Sequence, residues 1–155
     1  MSLDSLCIAS YNCNGLANST KRIEIFTWLS EKKLDIICLQ EVHSTLEQED
    51  CWKREWRGAI LFNHGTSNQK GVMILFRESL KICVNNVEKD TDGRILIVDV
   101  EVENTRFCLV NLYAPNNSDP MFFESVNDMI QNYDIPIIQT GDHNIALQPS
   151  KDRAG

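Results

Sequence analysis

The chain has 155 residues, 43% hydrophobic and 24% charged, which is the balance of a globular domain with a buried core and excludes a disordered segment. Its formal charge of −7 argues against a protein that coats nucleic acid through a basic surface. No apolar run reaches the roughly 18 residues of a membrane span, and the first residues lack the basic-then-apolar order of a secretory signal. We therefore expect one domain over 1–155, in the nucleus or the cytoplasm, with no membrane partner.

Six cysteines are scattered along the chain without a C-x-x-C pair. Four of them lie in apolar runs, as Cys38 does, where a reduced thiol behaves as a small hydrophobic side chain. The sequence therefore predicts reduced, buried thiols and neither a disulfide framework nor a structural zinc site.

The first half of the chain alternates short apolar runs with turn-forming residues, a pattern that predicts packed sheets with flanking helices. Ser19 or Thr20 is the expected N-cap of the helix, whose apolar face includes Ile23, Phe26 and Leu29 with Ile25 and Trp28 beside them. The predicted elements are strands over 6–11, 35–41, 58–63 and 71–76 and a helix over 19–33.

The second half continues the same pattern. A strand over 94–103 alternates between apolar residues on one face and acidic residues on the other, after the turn former Asp92-Gly93. Its hairpin partner is predicted over 106–113, followed by a helix over 119–132 and a strand over 136–140. Mixed hairpins and crossover helices of this kind predict an α/β fold with sheets flanked by helices.

Polar residues follow the predicted strands. Asn12, Glu41, Tyr113, Asp142 and Asn144 each stand at or just after the end of an apolar strand. Strand ends at one edge of a sheet converge in space, so these side chains are expected to form an oxygen-rich cluster. Two carboxylates with carboxamides suit Mg²⁺, which binds one or two protein carboxylates and keeps open positions for water and phosphate.

Each of these residues also has a simpler interpretation. Asn12 is a turn former, and Glu41 at the end of a buried strand is equally consistent with a solvated edge residue. Asp142 and Asn144 are also consistent with residues that merely shape the loop after Gly141. Tyr113 is also consistent with a packing residue. The recurrence at strand ends favours a site, but periodicity alone does not identify a reaction.

Four segments, at 11–16, 38–43, 110–116 and 141–144, carry a more specific signal. In order and spacing they resemble the endonuclease/exonuclease/phosphatase superfamily, and most of all the endonuclease domains of LINE-type (non-LTR) retrotransposons. The resemblance covers essentially the whole chain. It implies a DNase I-like fold, a four-layered β-sandwich flanked by helices, and phosphodiester hydrolysis dependent on Mg²⁺ or Mn²⁺ with DNA as the substrate.

The resemblance also assigns roles to the five residues. Glu41 would be the principal metal ligand with Asn12 beside it, and Asp142 would orient or deprotonate the attacking water. Asn144 would hold the scissile phosphate, and Tyr113 would donate a hydrogen bond to a phosphate oxygen in the transition state. Arg153 would add a phosphate contact.

Two departures from the family pattern affect these expectations. His143 replaces the usual Phe of the Gly-Asp-Phe-Asn element, and we interpret it as a packing residue rather than a new ligand. A later catalytic Asp and a Ser-Asp-His motif lie beyond residue 155 in the family. We therefore expect a fold truncated before its C-terminal strands, with feeble or no nicking and an open sheet edge covered by self-association or by a C-terminal continuation.

Other functions remain open from the sequence. Within the superfamily, an apurinic-site endonuclease or a phosphoinositide or lipid phosphodiesterase would carry the same segments. A degenerate, non-catalytic remnant acting as a binding module is the alternative from another class. The intact set of five strand-end residues favours a working site over that remnant.

Overall fold

The computed structural model describes residues 5–117 and 119–144, and within them it contains two four-stranded mixed sheets. The strands are β1 (Ile8–Asn12), β2 (Ile36–Gln40), β3 (Ile60–Asn63), β4 (Val72–Phe76), β5 (Ile82–Lys89), β6 (Ile95–Val102), β7 (Thr105–Tyr113) and β8 (Ile137–Asp142). The helices are α1 (Ser19–Ser30), α2 (Glu49–Glu55) and α3 (Pro120–Ile130), with a 3₁₀ turn at Leu46–Gln48 before α2.

The first sheet has the order β1-β2-β4-β3 and the second the order β5-β6-β7-β8. Within each sheet one pair of neighbours is parallel and joined through a helix: β1 with β2 across α1, and β7 with β8 across α3. The remaining neighbours are antiparallel. Both parallel pairs therefore end at one edge of their sheet, which is where the predicted site residues stand.

The layers follow from which faces are apolar. Three buried clusters separate four layers: α1 and α2, the first sheet, the second sheet, and α3. Alternation on β6 directs Val98 and Val100 into the cluster between the sheets, while Ile95 and Ile97 pack beneath α3. β2 and β4 are buried on both faces, as their sequences predict, which are apolar except for Gln40 at the end of β2. The expected four-layered, DNase I-like architecture is confirmed.

Helix α1 differs from its prediction in two respects. Asn18, and neither Ser19 nor Thr20, is the N-cap, because its side chain accepts a hydrogen bond from the backbone N–H of Lys21. The apolar face is also narrower than predicted. Phe26 and Leu29 are buried, whereas Ile23 and Trp28 are about half exposed.

Two elements were not predicted. β5 is an edge strand with mostly exposed side chains, so it lacks the apolar alternation that identifies a strand. α2 spans only seven residues, with Trp52 as its fully buried member. A helix of two turns is too short for its periodicity to be distinctive.

The cysteines are free, as predicted. Cys13, Cys38 and Cys108 are buried, and burial raises the pKa of the Cys13 and Cys38 thiols to about 12, which keeps them protonated. Cys7 and Cys83 are exposed, contrary to the prediction of burial. Within the described residues no helix is long and apolar enough to cross a membrane, and no group of three acidic, histidine or cysteine residues is placed to bind a metal.

Strand β8 is an edge strand of the described part of the second sheet, where β7 is its paired neighbour. Ile137 at its start is 40% exposed. That this edge is open, and what covers it, stay predictions.

Candidate active site

Four strand ends from the two sheets meet at one point. Asn12 is paired with Gln40 at the ends of β1 and β2, and Tyr113 is paired with Asp142 at the ends of β7 and β8. β1 of the first sheet lies beside β8 of the second. The two parallel pairs thus bring their carboxyl ends together, and the site spans the junction between the sheets.

Asn12 connects two carboxylates. Its Nδ2 donates to Glu41 Oε1 at 3.1 Å and to Asp142 Oδ2 at 3.0 Å. Its Oδ1 accepts the backbone N–H of Asn14 at 3.0 Å. The amide nitrogen therefore occupies a point within about 3 Å of two carboxylate oxygens, and the amide oxygen, the atom that could bind a cation, is engaged in the local turn.

Glu41 leaves β2 in an unusual backbone conformation, with φ of 52°. Residues other than glycine adopt such a conformation at a cost, which is commonly found where a side chain must be aimed at a site. The backbone N–H of Gly15 fixes the residue by donating to the Glu41 carbonyl at 2.6 Å. Gly15 itself has φ of +92°, and a Cβ there would lie 2.7 Å from the His43 ring, so only glycine fits.

Tyr113 belongs to the same cluster and is its most buried member, with 9% of its surface exposed. Burial raises the pKa of its phenol to about 12, and hydrogen bonding to the Glu41 carboxylate acts in the same direction. The hydroxyl is therefore protonated throughout the neutral range and available as a donor. The guanidinium of Arg94 lies over the ring, 5.0 Å from its centroid.

Asn144 lies next to Asp142 with φ of 49°. Its backbone N–H donates to Asp142 Oδ1 at 3.0 Å, and its Nδ2 donates to the carbonyl of Ala114 at 2.7 Å. These bonds tie the loop after β8 to the residue that follows Tyr113. All five predicted residues are thus brought together by the fold.

Three residues of the site were not singled out from the sequence. His43, Lys70 and Arg94 line a cavity of about 310 Å³ together with Glu41 and Tyr113. Lys70 and Arg94 share Asp92, at 2.6 Å and 3.1 Å. Burial lowers the pKa of the His43 imidazole, so this ring is neutral at pH 7 and the cavity's positive charge comes from the other two.

Strand direction explains why the two cations were missed. Lys70 precedes β4 and Arg94 precedes β6, and both strands run antiparallel to the ones that end at the site. Their amino ends therefore lie at the same edge, as shown by the bond from the Tyr113 N–H to the Arg94 carbonyl at 2.8 Å. The signal in the sequence is a basic residue just before a strand that runs antiparallel to a strand ending at the site, and both Lys70 and Arg94 fit it.

His143 packs rather than faces the carboxylates. Its ring is parallel to that of Phe123 with centroids 6.3 Å apart, and its Nε2 is 3.1 Å from the side-chain nitrogen of Gln139. This contact with α3 favours the packing interpretation of the departure from Phe. Arg153, the other predicted phosphate contact, lies outside the described residues.

The donor set suits a hard divalent cation. Glu41 and Asp142 provide carboxylate oxygens about 3 Å from one shared point, now held by the partial positive charge of an amide group. Rotation of the Asn12 carboxamide would turn its oxygen to that point. Magnesium needs only one or two protein carboxylates, so the lack of a three-acid cluster in the described residues does not disfavour it.

The fold and the site together define a four-layered α/β sandwich with an acidic centre where two sheets meet. Residues 9–147 match the Endonuclease/Exonuclease/phosphatase family, to which the chain therefore belongs. This is a family of hydrolytic nucleases and phosphatases whose members typically use divalent metals.

Individual relatives agree with this assignment. The chain is 32% identical over 153 residues, 96% of its length, to a Transposon TX1 uncharacterized 149 kDa protein of Xenopus laevis, of which it spans 12%. The expected resemblance to transposon-encoded members is thereby confirmed.

Solved structures agree on the fold. An AP endonuclease from Archaeoglobus fulgidus matches 93% of the chain with a TM-score of 0.69 and 21% identity, and a 3′ phosphatase from Neisseria bound to a product DNA hairpin matches 95% with a TM-score of 0.65 and 19% identity. The chain spans 59% and 63% of these two proteins.

Proposed function

We propose that this chain carries the metal-binding and phosphate-binding part of a DNA endonuclease of the transposon-encoded type, which nicks a phosphodiester bond with Mg²⁺ or Mn²⁺. The observation that carries the proposal is the shared Asn12 amide, which holds the Glu41 and Asp142 carboxylates around one point across the two sheets. The likeness to a transposon protein and the DNA bound to the Neisseria phosphatase support DNA as the substrate.

The protein's own groups have distinct tasks in this scheme. Glu41 is the principal metal ligand, with Asn12 as a second ligand through its amide oxygen. A bound divalent ion would supply positive charge near the phosphate oxygens while the bond from the attacking water oxygen to phosphorus forms and the bond from phosphorus to the leaving oxygen breaks. Asp142 accepts a hydrogen bond from the attacking water and takes up its proton.

The phosphate is held from the other side of the site. Tyr113 donates its hydroxyl hydrogen to a phosphate oxygen, for which its raised pKa is suited because the proton is retained at neutral pH. Asn144 supplies a carboxamide donor beside it. Arg94 and Lys70 place two cations in the adjoining cavity, where they contact neighbouring phosphates of the strand.

The acidic balance of the chain affects how DNA binds. With a formal charge of −7, attraction to the polyanion depends on the metal and on these local cations. We expect weak binding that decreases strongly with salt.

Nicking of supercoiled plasmid tests the proposal. We expect feeble wild-type nicking with Mg²⁺, in line with the expectation from the sequence, and we expect it to be abolished by chelator and by Asp142→Ala. Asp128→Ala, an exposed acidic position on α3, is the matched control and should keep the wild-type rate. Nicking that persists in Asp142→Ala, or a folded wild-type chain that neither nicks nor binds Mn²⁺, would contradict it.

A further inference from the structure

Two buried carboxamides are bonded to each other beneath the site, between the sheets. Gln40 is 1% exposed and Asn111 is fully buried. Gln40 Nε2 donates to Asn111 Oδ1 at 2.8 Å. The cluster that fills the space between the sheets is otherwise apolar. Apolar packing has little preference for direction, whereas the hydrogen bond of this pair requires a defined distance and angle.

The remaining bonds of the pair extend it over four strands. Asn111 Nδ2 donates to the carbonyls of Leu39 at 3.1 Å and Met73 at 3.0 Å, which ties β7 to β2 and β4. Gln40 Nε2 also lies 3.1 Å from Ser10 Oγ on β1. A shift of one sheet over the other would leave several buried polar groups unpaired, each at a substantial cost in free energy.

The pair stands directly next to the reactive groups. Gln40 precedes Glu41 in the chain, and Asn111 is two residues before Tyr113 on the same face of β7. The contacts of the site itself also cross between the sheets, from Asn12 to Asp142 and from Tyr113 to Glu41. The side chains of Asn12, Glu41 and Asp142 are only partly buried, so water competes for their hydrogen bonds more than for those of the buried pair.

We propose that the Gln40–Asn111 bridge is a positioning device, which sets the offset between the two sheets and thereby holds the Asn12–Glu41 half of the site against the Tyr113–Asp142 half. The inference rests on the proposed function for its consequence in metal binding. Its structural part, the control of the Asn12–Asp142 contact, stands independently of any metal.

Nuclear magnetic resonance of the Asn12 side-chain amide tests the structural part. In the Asn111→Leu variant we expect the Asn12 amide protons to exchange with water about tenfold faster than in the wild type, because the Asn12–Asp142 contact across the sheets is lost. Their chemical shifts should approach those of a free carboxamide. Gln40→Met is the milder second variant. It removes the Gln40 donor to Asn111 and leaves the two other donors that cross between the sheets, from Asn111 to Leu39 and Met73, intact, so its effect should be smaller than that of Asn111→Leu.

Val98→Ala is the matched control, since it truncates an apolar residue of the same layer and costs stability without removing any hydrogen bond of the bridge. It should keep the Asn12 signals of the wild type. A second readout is the Mn²⁺ dissociation constant, expected to rise about tenfold in the bridge variants and to change little in Val98→Ala.

Unchanged Asn12 signals in folded Gln40→Met and Asn111→Leu would overturn the inference, as would equal changes in Val98→Ala. Failure of the wild type to bind Mn²⁺ would instead contradict the proposed function. In that case the Asn12 signals still decide whether the bridge positions the two halves.

Discussion

Asn12 donates a hydrogen bond to Asp142 at 3.0 Å, although the two residues are 130 positions apart in the chain. The same nitrogen donates to Glu41 at 3.1 Å, so one amide separates two carboxylates that would otherwise repel each other. The site is therefore arranged so that a positive or partially positive group is needed at its centre.

Replacing that amide with a carboxylate should expose this need. We expect Asn12→Asp to lower the free energy of unfolding by about 2 kcal/mol at neutral pH in chelator, because a third negative charge joins Glu41 and Asp142 and the donor is lost. Mg²⁺ or Mn²⁺ should recover most of the loss. Thermal denaturation with and without the metal measures both effects.

Asn104→Asp is the control for this charge change, because Asn104 is exposed in the turn between β6 and β7. It should show neither the loss nor the recovery. If Asn12→Asp is as stable as the wild type and gains no more from metal, the two carboxylates do not share a cation site.

Tyr113→Phe should separate phosphate contact from metal binding. With its pKa raised to about 12, the phenol is a donor at all physiological pH values, and its removal should lower the rate of nicking by about 10²-fold. Mn²⁺ affinity should stay within about threefold of the wild type, because a donor that acts in the transition state contributes little to ground-state binding.

Single-turnover nicking and Mn²⁺ titration measure the two quantities. Tyr133→Phe is the control, since Tyr133 lies beyond α3 and its hydroxyl contacts Asn86 on β5. A Tyr113→Phe chain that nicks at the wild-type rate would remove Tyr113 from the mechanism.

The two cations of the cavity should determine how DNA binding responds to salt. Each phosphate contact releases counterions, so affinity falls as salt rises. Arg94→Gln and Lys70→Gln should each make the slope of log affinity against log salt less steep by about 0.9. Fluorescence anisotropy with a short duplex over a range of KCl concentrations measures the slope.

Arg57→Gln supplies the comparison. Arg57 is exposed and precedes β3, at the opposite end of the first sheet, so its loss should leave the slope unchanged. Equal slopes for all three variants would mean that the cavity does not contact the DNA backbone.

Stability should depend on the pair formed by Arg22 and Glu55. Arg22 is 4% exposed, donates to Glu55 at 2.6 Å and 2.8 Å, and lies over the ring of Trp52 at 4.9 Å. Glu55→Gln leaves this buried cation without its partner and should lower the free energy of unfolding by about 3 kcal/mol at pH 7.

The pH dependence of this effect has a defined sign. The hydrogen bond from Arg22 lowers the pKa of Glu55 below its usual value of 4.5, so the pair stabilises the fold fully above that value. The stabilisation is lost as the pH falls through the folded-state pKa. The difference between wild type and Glu55→Gln in urea denaturation should therefore shrink below about pH 4.5.

A difference in unfolding free energy that stays constant with pH would contradict the assignment. Glu47→Gln, a substitution at an exposed position, is the control and should have little effect at any pH.

The sequence predicted the parts of this fold that depend on local pattern. β6 has alternating residues, and β2 is apolar up to Gln40. Glu41 directly follows β2 and Asp142 ends β8, and the parallel pairing of these strands brings their ends to one edge. Lys70 and Arg94 depend instead on strands of opposite direction, which the pattern within a segment does not reveal. The cap was predicted one residue late because Asn18, Ser19 and Thr20 are all residue types that cap helices, and the pattern does not show which side chain accepts the Lys21 N–H.

Binding of Mn²⁺ to the wild-type chain and to Glu41→Gln, followed by the electron paramagnetic resonance signal of the free ion, tests the central claim most directly. Glu101→Gln, on β6 and outside the site, is the control for the lost charge. The account predicts one bound ion in the wild type and in Glu101→Gln, with affinity at least about tenfold weaker in Glu41→Gln. Equal affinities in all three, or no binding by the folded wild type, would contradict a divalent metal site at the junction of the two sheets.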